Sequence, residues 1–396
     1  MPHVVDTEKL LGEGILSQDQ AGEIARRSRE TMVALAVNTI LCVGVIAATF
    51  GLIFWLADAL AVSVAGGFFL LVGLWVLMAG SDLYRMLGNA AALVGSGMLI
   101  GGAGIELVDK FRDIAEPVML VAGALIAIGA WLVFEKGPLK FGFAAGAVLL
   151  MGVALHLSGV LVAFDPVTGW PKSLAFAYGA VVIALAGIAT QVRTVTALAI
   201  LPFAQILETG TGYNHAAYVF YSPEPTLTIL QMATLIGVSV WASRRVSAHI
   251  APHLGILAIM ATVVGNLAFL VGTLWGDTLF LSLGDAPTRE QGMEWSEFQK
   301  LREAYEAQFF HISEHVFTVV WALLLGIGAF WAAHANKRGL FNAAMIFACI
   351  HAYTQMFESY GDEPLAWAIG GLAAIPLAWG LWRLNQYLTT NQALPH

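Results

Sequence analysis

Residues 60–79 read LAVSVAGGFFLLVGLWVLMA, twenty residues without a charge. Wound as an α-helix at 1.5 Å per residue, such a run is about 30 Å long, which matches the hydrocarbon core of a bilayer. Its apolar residues are continuous rather than alternating, which favours a helix over a barrel strand. Eleven further runs of the same kind lie near 31–56, 87–107, 117–134, 141–163, 173–190, 194–209, 226–242, 253–275, 313–333, 340–357 and 364–384. The expectation is an all-α, polytopic transmembrane helix bundle of about twelve spans. Composition agrees: of 396 residues 58% are hydrophobic and only 12% charged, and the mean hydropathy is +0.76. A soluble domain carries about 25% charged residues. The net charge of −8 leaves no electrostatic footprint for nucleic acid. Cys42 and Cys349 both sit in apolar runs, so neither a disulfide framework nor a thiolate metal cluster is implied. The first run is too long for a signal peptide and lacks a cleavage site, so it reads as a true span.

Charge sets the expected orientation. With the N-terminus placed in the cytoplasm, thirteen of the nineteen basic residues fall on the cytoplasmic side. The other six are Lys110, Arg112, Lys172, Arg289, Lys300 and Arg302. This alternation holds across twelve spans and puts both termini in the cytoplasm. Nineteen of the twenty-seven acidic residues fall on the outer side, so the outer mouth would attract cations.

The chain then divides into a cytoplasmic amphipathic leader (1–30), spans one to nine (31–275), an outer-face loop with an amphipathic helix (276–312), and spans ten to twelve with a short tail (313–396). In the leader Ser17 caps a helix, with Gln20 as its reciprocal partner, and Arg26, Arg27 and Arg29 lie against the anionic inner leaflet. In the loop, helix is expected from Thr288 onward. Trp295, Phe298, Leu301, Tyr305, Phe309 and Ile312 make one apolar stripe that either packs on the lipid surface or lids a cavity. The first six and last six spans share no visible repeat. Gly95, Gly97, Gly101, Gly102 and Gly104 mark the third span as a close-packing helix.

Ionisable and amide groups at membrane depth are costly and therefore candidates for function. Most lie from mid-membrane to the outer surface, including His156, Gln231 and Asn266, with Asn38 the main inner one; the pattern is an outward-facing acidic polar crevice closed toward the cytoplasm. Three groupings stand out. His311, Glu314 and His315 form a His-x-x-Glu-His pattern; on a helix they share a face that could hold a divalent metal such as Zn, with Glu208, Glu358 or His215 as a further ligand. His351, Gln355 and Glu358, spaced by four and three, form a ladder suited to a proton or cation. Pro202, Gln205 and Glu208, followed by Gly210, Gly212 and His215, mark a span that is kinked or broken near its end. The expected solute-binding residues are Gln205, Glu208, His215, His351, Gln355 and Glu358.

The leader Gly14-Ile15-Leu16-Ser17-x-x-Gln20-Ala21, the dozen spans, Asn342 and the stretch from Gly371 to Arg383 resemble a group of bacterial multi-spanning membrane proteins known only as a domain of unknown function. The resemblance implies a bacterial inner (cytoplasmic) membrane and no activity. Three functions follow from the residues. The foremost is a transporter or channel-like protein for a small polar or cationic solute. The others are a membrane-embedded metal-dependent enzyme at the His-x-x-Glu-His site, and a partner-binding or assembly subunit acting through 288–312 or the leader.

Overall fold

The protein is described from a computed structural model covering residues 7–24, 26, ten positions between 40 and 56 (40, 43, 44, 47–49, 51, 53, 55 and 56), 57–80, 84–165, 167, 169–207, 209–214, 219–279, 287–289, 293–335 and 338–390. Among the described residues, nine helices are long and apolar enough to cross a membrane. They coincide with expected spans two to six and eight to eleven. The protein is a helical, multi-pass membrane protein. The first expected span lies largely outside the described residues. In the leader, α1 (Thr7–Gly12) is followed by the expected capping box: the Ser17 amide donates to Gln20 Oε1 at 2.9 Å and the Gln20 amide to Ser17 Oγ at 3.2 Å.

Two compact units divide the chain. The first contains α2 (Ala59–Ala79), α3 (Arg85–Lys110), α4 (Arg112–Lys136) and α5 (Gly142–Phe164). Asp58 starts α2 by accepting the Ala61 amide at 2.8 Å. Helices α2 and α3 are held by small residues seven apart. Gly66 and Gly73 on α2 face Gly95 and Gly88 on α3, and Gly102 faces Ala59 and Ser63. A seven-residue repeat keeps one seam in register only if the pair coils left-handedly. Gly97 and Gly104, also seven apart, turn the other way, toward Met151 and Leu155 of α5. Gly101 faces open space. The same device joins α4 to α5. Gly123 meets the backbone of His156 and Gly152, and His156 Nδ1 bonds the Leu120 carbonyl oxygen at 2.8 Å. This gives the membrane-depth histidine a cross-helix structural role.

The second unit contains α6 (Trp170–Thr190) as far as Ile188, α7 (Arg193–Leu198), α8 (Ile200–Ala204), α9 (Pro225–Ser243), α10 (Ala251–Trp275), α11 (Trp295–Glu306), α12 (Glu314–His334), α13 (Arg338–Tyr360) and α14 (Pro364–Thr390), the last covering the twelfth expected span. Two short antiparallel ladders qualify the all-α expectation. β1 (Gly212–Asn214) pairs with β2 (Val219–Tyr221), and β3 (Asp277–Thr278) with β4 (His311–Ile312). One core gathers Ile200, Ala204, Met232 and Ala261; another gathers Trp321, Leu325 and Phe347. The loop helix is shorter than its stripe. It spans only Trp295–Glu306, buries no residue, and leaves Trp295 and Leu301 exposed, while Ile312 belongs to β4.

Candidate functional site

The seventh expected span, 194–209, is not a continuous helix. It is apolar enough, but Arg193–Ala204 has only twelve residues, or about 18 Å of helix against about 30 Å of hydrocarbon. Helix α7 breaks at Ala199, and after α8 the chain tightens into three-residue turns: Gln205 donates to Pro202 and Ile206 to Phe203. Gly210, with φ of +66°, then turns the backbone into β1 in a conformation open to glycine. Side chains bond the carbonyls around the break. Thr209 Oγ1 bonds the Ala204 oxygen at 3.3 Å, Gln231 Nε2 bonds the Phe203 oxygen, and Gln205 Nε2 bonds the Thr211 oxygen. Irregular backbone survives at membrane depth only where protein groups satisfy it in this way.

Four hydroxyls knot this break together. Thr211 Oγ1 lies 3.0 Å from Thr209 Oγ1, 3.1 Å from Ser222 Oγ and 2.7 Å from Thr228 Oγ1, and Ser222 Oγ is 3.1 Å from Thr228 Oγ1. All four residues are at most 2% exposed. Counting the bond to Ala204, the knot has five oxygen–oxygen contacts and four hydroxyl protons to fill them. It is therefore rich in lone pairs, the chemistry that replaces the water shell of a cation or a polar solute.

Thr228 and Gln231, three apart, share one face of α9, and Glu224 immediately precedes the helix. Glu224 is the helix N-cap residue and is fully buried. Above it sits Asp277, 3% exposed, in the first position after Gly276. Asp277 Oδ2 accepts the Thr226 amide in the first turn of α9 at 2.8 Å, where the helix dipole favours an anion. Among the described residues Asp277 Oδ1 has no hydrogen-bond partner, and neither has Gln231 Oε1. Burial pushes the Asp277 carboxyl above the usual carboxylate range; hydrogen bonding from Thr226 and the charge of His311 push it back, and Glu224 pushes it further up. Gly276 is required here: its φ is +67°, and a Cβ would stand 2.6 Å from the Ile312 oxygen and 3.0 Å from His311 Cε1.

The structure breaks up the His-x-x-Glu-His face. Ser313 is the extended N-cap residue of α12, so Glu314 and His315 open the helix while His311 lies upstream on β4. His311 Nδ1 is 3.1 Å from Thr278 Oγ1, and the His315 and Glu314 side chains are partly or largely exposed, 3.6 Å apart. The reason is the strand pairing, which commits His311 to an extended backbone. Among the described residues no three His, Cys, Asp or Glu side chains are grouped to hold a metal ion. What the fold does with His311 is bring it beside Asp277.

Two members of the ladder face α12. His351 is buried with its ring edge-on to Trp321, centroids 4.8 Å apart, and Gln355 Oε1 accepts Thr318 Oγ1 at 3.3 Å. Glu358 is exposed. Trp321 Nε1 donates to Asn266 Oδ1 at 2.8 Å, and both line a largely apolar cavity of about 250 Å³ that also touches Met232, Phe269 and Phe347. Gln205 is engaged separately, at the break. Glu208 and His215 lie outside the described residues.

The end of the unit away from the ladders also buries polar side chains. Thr196 and His253 are buried and bonded at 2.6 Å, Thr196 packs against Gly187, and Ser239 is 2% exposed. Sequence reasoning passed over Thr209, Thr211, Ser222, Glu224, Thr228 and Asp277. A signal existed for Glu224, an acid between Pro223 and Pro225 that continues into a helical Thr228–Gln231 face. Asp277 reads as an ordinary loop acid. In comparisons with known proteins the chain matches no family model, no curated protein and no solved structure.

Proposed function

We propose that the protein is a transporter or channel-like protein of a bacterial inner membrane. In this reading it has about twelve spans and cytoplasmic termini, and it binds a small polar or cationic solute where the span beginning at Arg193 breaks. One observation carries the reading: an interrupted helix whose gap is filled by buried hydroxyls, amides and carboxylates. Half-helices ending near mid-membrane are how transporters expose backbone and side-chain oxygens to a solute. The distribution of basic residues puts the ladder end outside, beside most of the acidic residues, so the site would draw cations from that side. A path must reach both faces. Ser239, eleven residues and three turns below Thr228 on α9, and the Thr196–His253 pair supply buried polar groups toward the other face.

The test is electrical. Protein reconstituted in liposomes on a solid-supported membrane is exposed by rapid exchange to choline, small alkylamines, sodium or potassium. At least one probe should give a saturating transient current. Gln231→Ala, which removes the amide bound to Phe203, should reduce that current at least tenfold while the protein still elutes as a single species. Currents no larger than those of empty liposomes for every probe would defeat the reading.

A further inference from the structure

We propose that Asp277 holds one exchangeable proton on its free oxygen, and that this proton is the coupling ion of the site. Its role rests on the transport reading above; its existence does not. The argument begins with what each carboxyl oxygen is doing. Asp277 Oδ2 is committed as an acceptor to the Thr226 amide, so it is the oxygen that stays unprotonated. Asp277 Oδ1 is buried and has no partner among the described residues, a position that is costly for an acceptor-only carboxylate and suited to an O–H. Glu224, fully buried on the neighbouring α9, is the acidic group that acts on it. A second acidic group beside a buried Asp277 favours its protonated form.

The groups facing Asp277 fix the balance. From α9 come the side chain and amide of Thr226, which favour the ionised form, and Glu224, which opposes it; from β4 comes His311, whose positive charge, when present, favours the ionised form, and burial outweighs them. The proton comes from water on the ladder side and settles on Oδ1, removing one negative charge. When it leaves, Asp277 regains that charge on the side of α9 that carries Thr228. Proton release and cation entry are then opposed in charge at one place, which is what coupling requires. The sign of the linkage follows. A carboxyl raised by burial adds stability while it is protonated, in full below the ordinary carboxylate range, and loses it as pH rises through the raised value.

The experiment is an infrared titration of the purified full-length protein in nanodiscs. A protonated-carboxyl stretching band should persist above the pH at which ordinary carboxylates have ionised, and should shift in D₂O. Asp277→Asn, which keeps an oxygen acceptor for Thr226, should abolish the band. Glu224→Gln, which removes the opposing charge, should lower its midpoint by about one pH unit. Three results would overturn the proposal: no such band in the unaltered protein, a band indifferent to Asp277→Asn, or a midpoint set by sodium concentration rather than pH. The unaltered protein alone decides the first point even if a variant misfolds. A titrating band with no current in the liposome assay would defeat the transport reading and leave the proton site standing. Currents without the band would do the reverse.

Discussion

Replacing Gly95 with valine is expected to destabilise the protein by about 3 kcal/mol, whereas the same change at Gly101, six residues on, should stay within about 1 kcal/mol. Both glycines lie in the middle of α3, and only their surroundings differ. A Cβ at Gly95 would stand 2.8 Å from the Gly66 carbonyl oxygen and 2.8 Å from Leu70 Cα, which are backbone atoms that no rotamer change can move. A Cβ at Gly101 meets nothing within 4 Å. Helices α2 and α3 would have to separate, and the contacts of Gly73 with Gly88 and of Gly102 with Ala59 would go with them. In lipid the loss is not recovered elsewhere, because helices associate there through close packing rather than through escape from water. Thermal unfolding followed by tryptophan fluorescence checks this; equal midpoints for the two variants would show that the glycine seam does not hold the pair.

That seam was legible only in part: Gly95 and Gly102 were marked as close-packing positions, but Gly101, marked with them, faces open space, and Gly66, Gly73 and Gly88 were not singled out. The long apolar runs and the Ser17–Gln20 capping box left a local record. The features that failed to show were those decided at a distance. Pro202 and the glycines after it marked a break near the end of 194–209, but local sequence cannot register that Gln231, on another helix, will bond the Phe203 oxygen or that Thr228 will join the hydroxyl knot. The His311–His315 pattern was taken in helical phase from its first residue, yet Ser313 stands where an N-cap belongs, and pairing with Thr278 holds His311 in a strand. Glu224 and Asp277 are 53 residues apart, and nothing local to either shows that they meet. Only the fold shows that the second caps the helix that the first begins.

Replacing Thr211 with valine should cost about 3 kcal/mol, with the shape of the side chain kept and only the hydroxyl lost. Thr211 is the centre of the knot: its hydroxyl meets those of Thr209, Ser222 and Thr228, and its carbonyl holds Gln205. Without it Thr209 loses one of two contacts, and Ser222 and Thr228 keep only each other, all in a buried region. Thr211→Ser restores the oxygen and should recover all but about 1 kcal/mol. Thr234→Val is the control, since that hydroxyl is exposed and bonds its own helix at Leu230, 2.8 Å away; it should stay within about 0.5 kcal/mol. Stability alone would not separate a structural knot from a binding site, so the current assay is repeated well below the unfolding temperature of the valine variant. A folded Thr211→Val protein should still show at least a tenfold weaker apparent affinity for the solute, because the lone pairs that meet the solute have gone. Full currents from that folded variant, at unchanged affinity, would mean that the hydroxyls only fasten the broken helix and that the solute binds somewhere else.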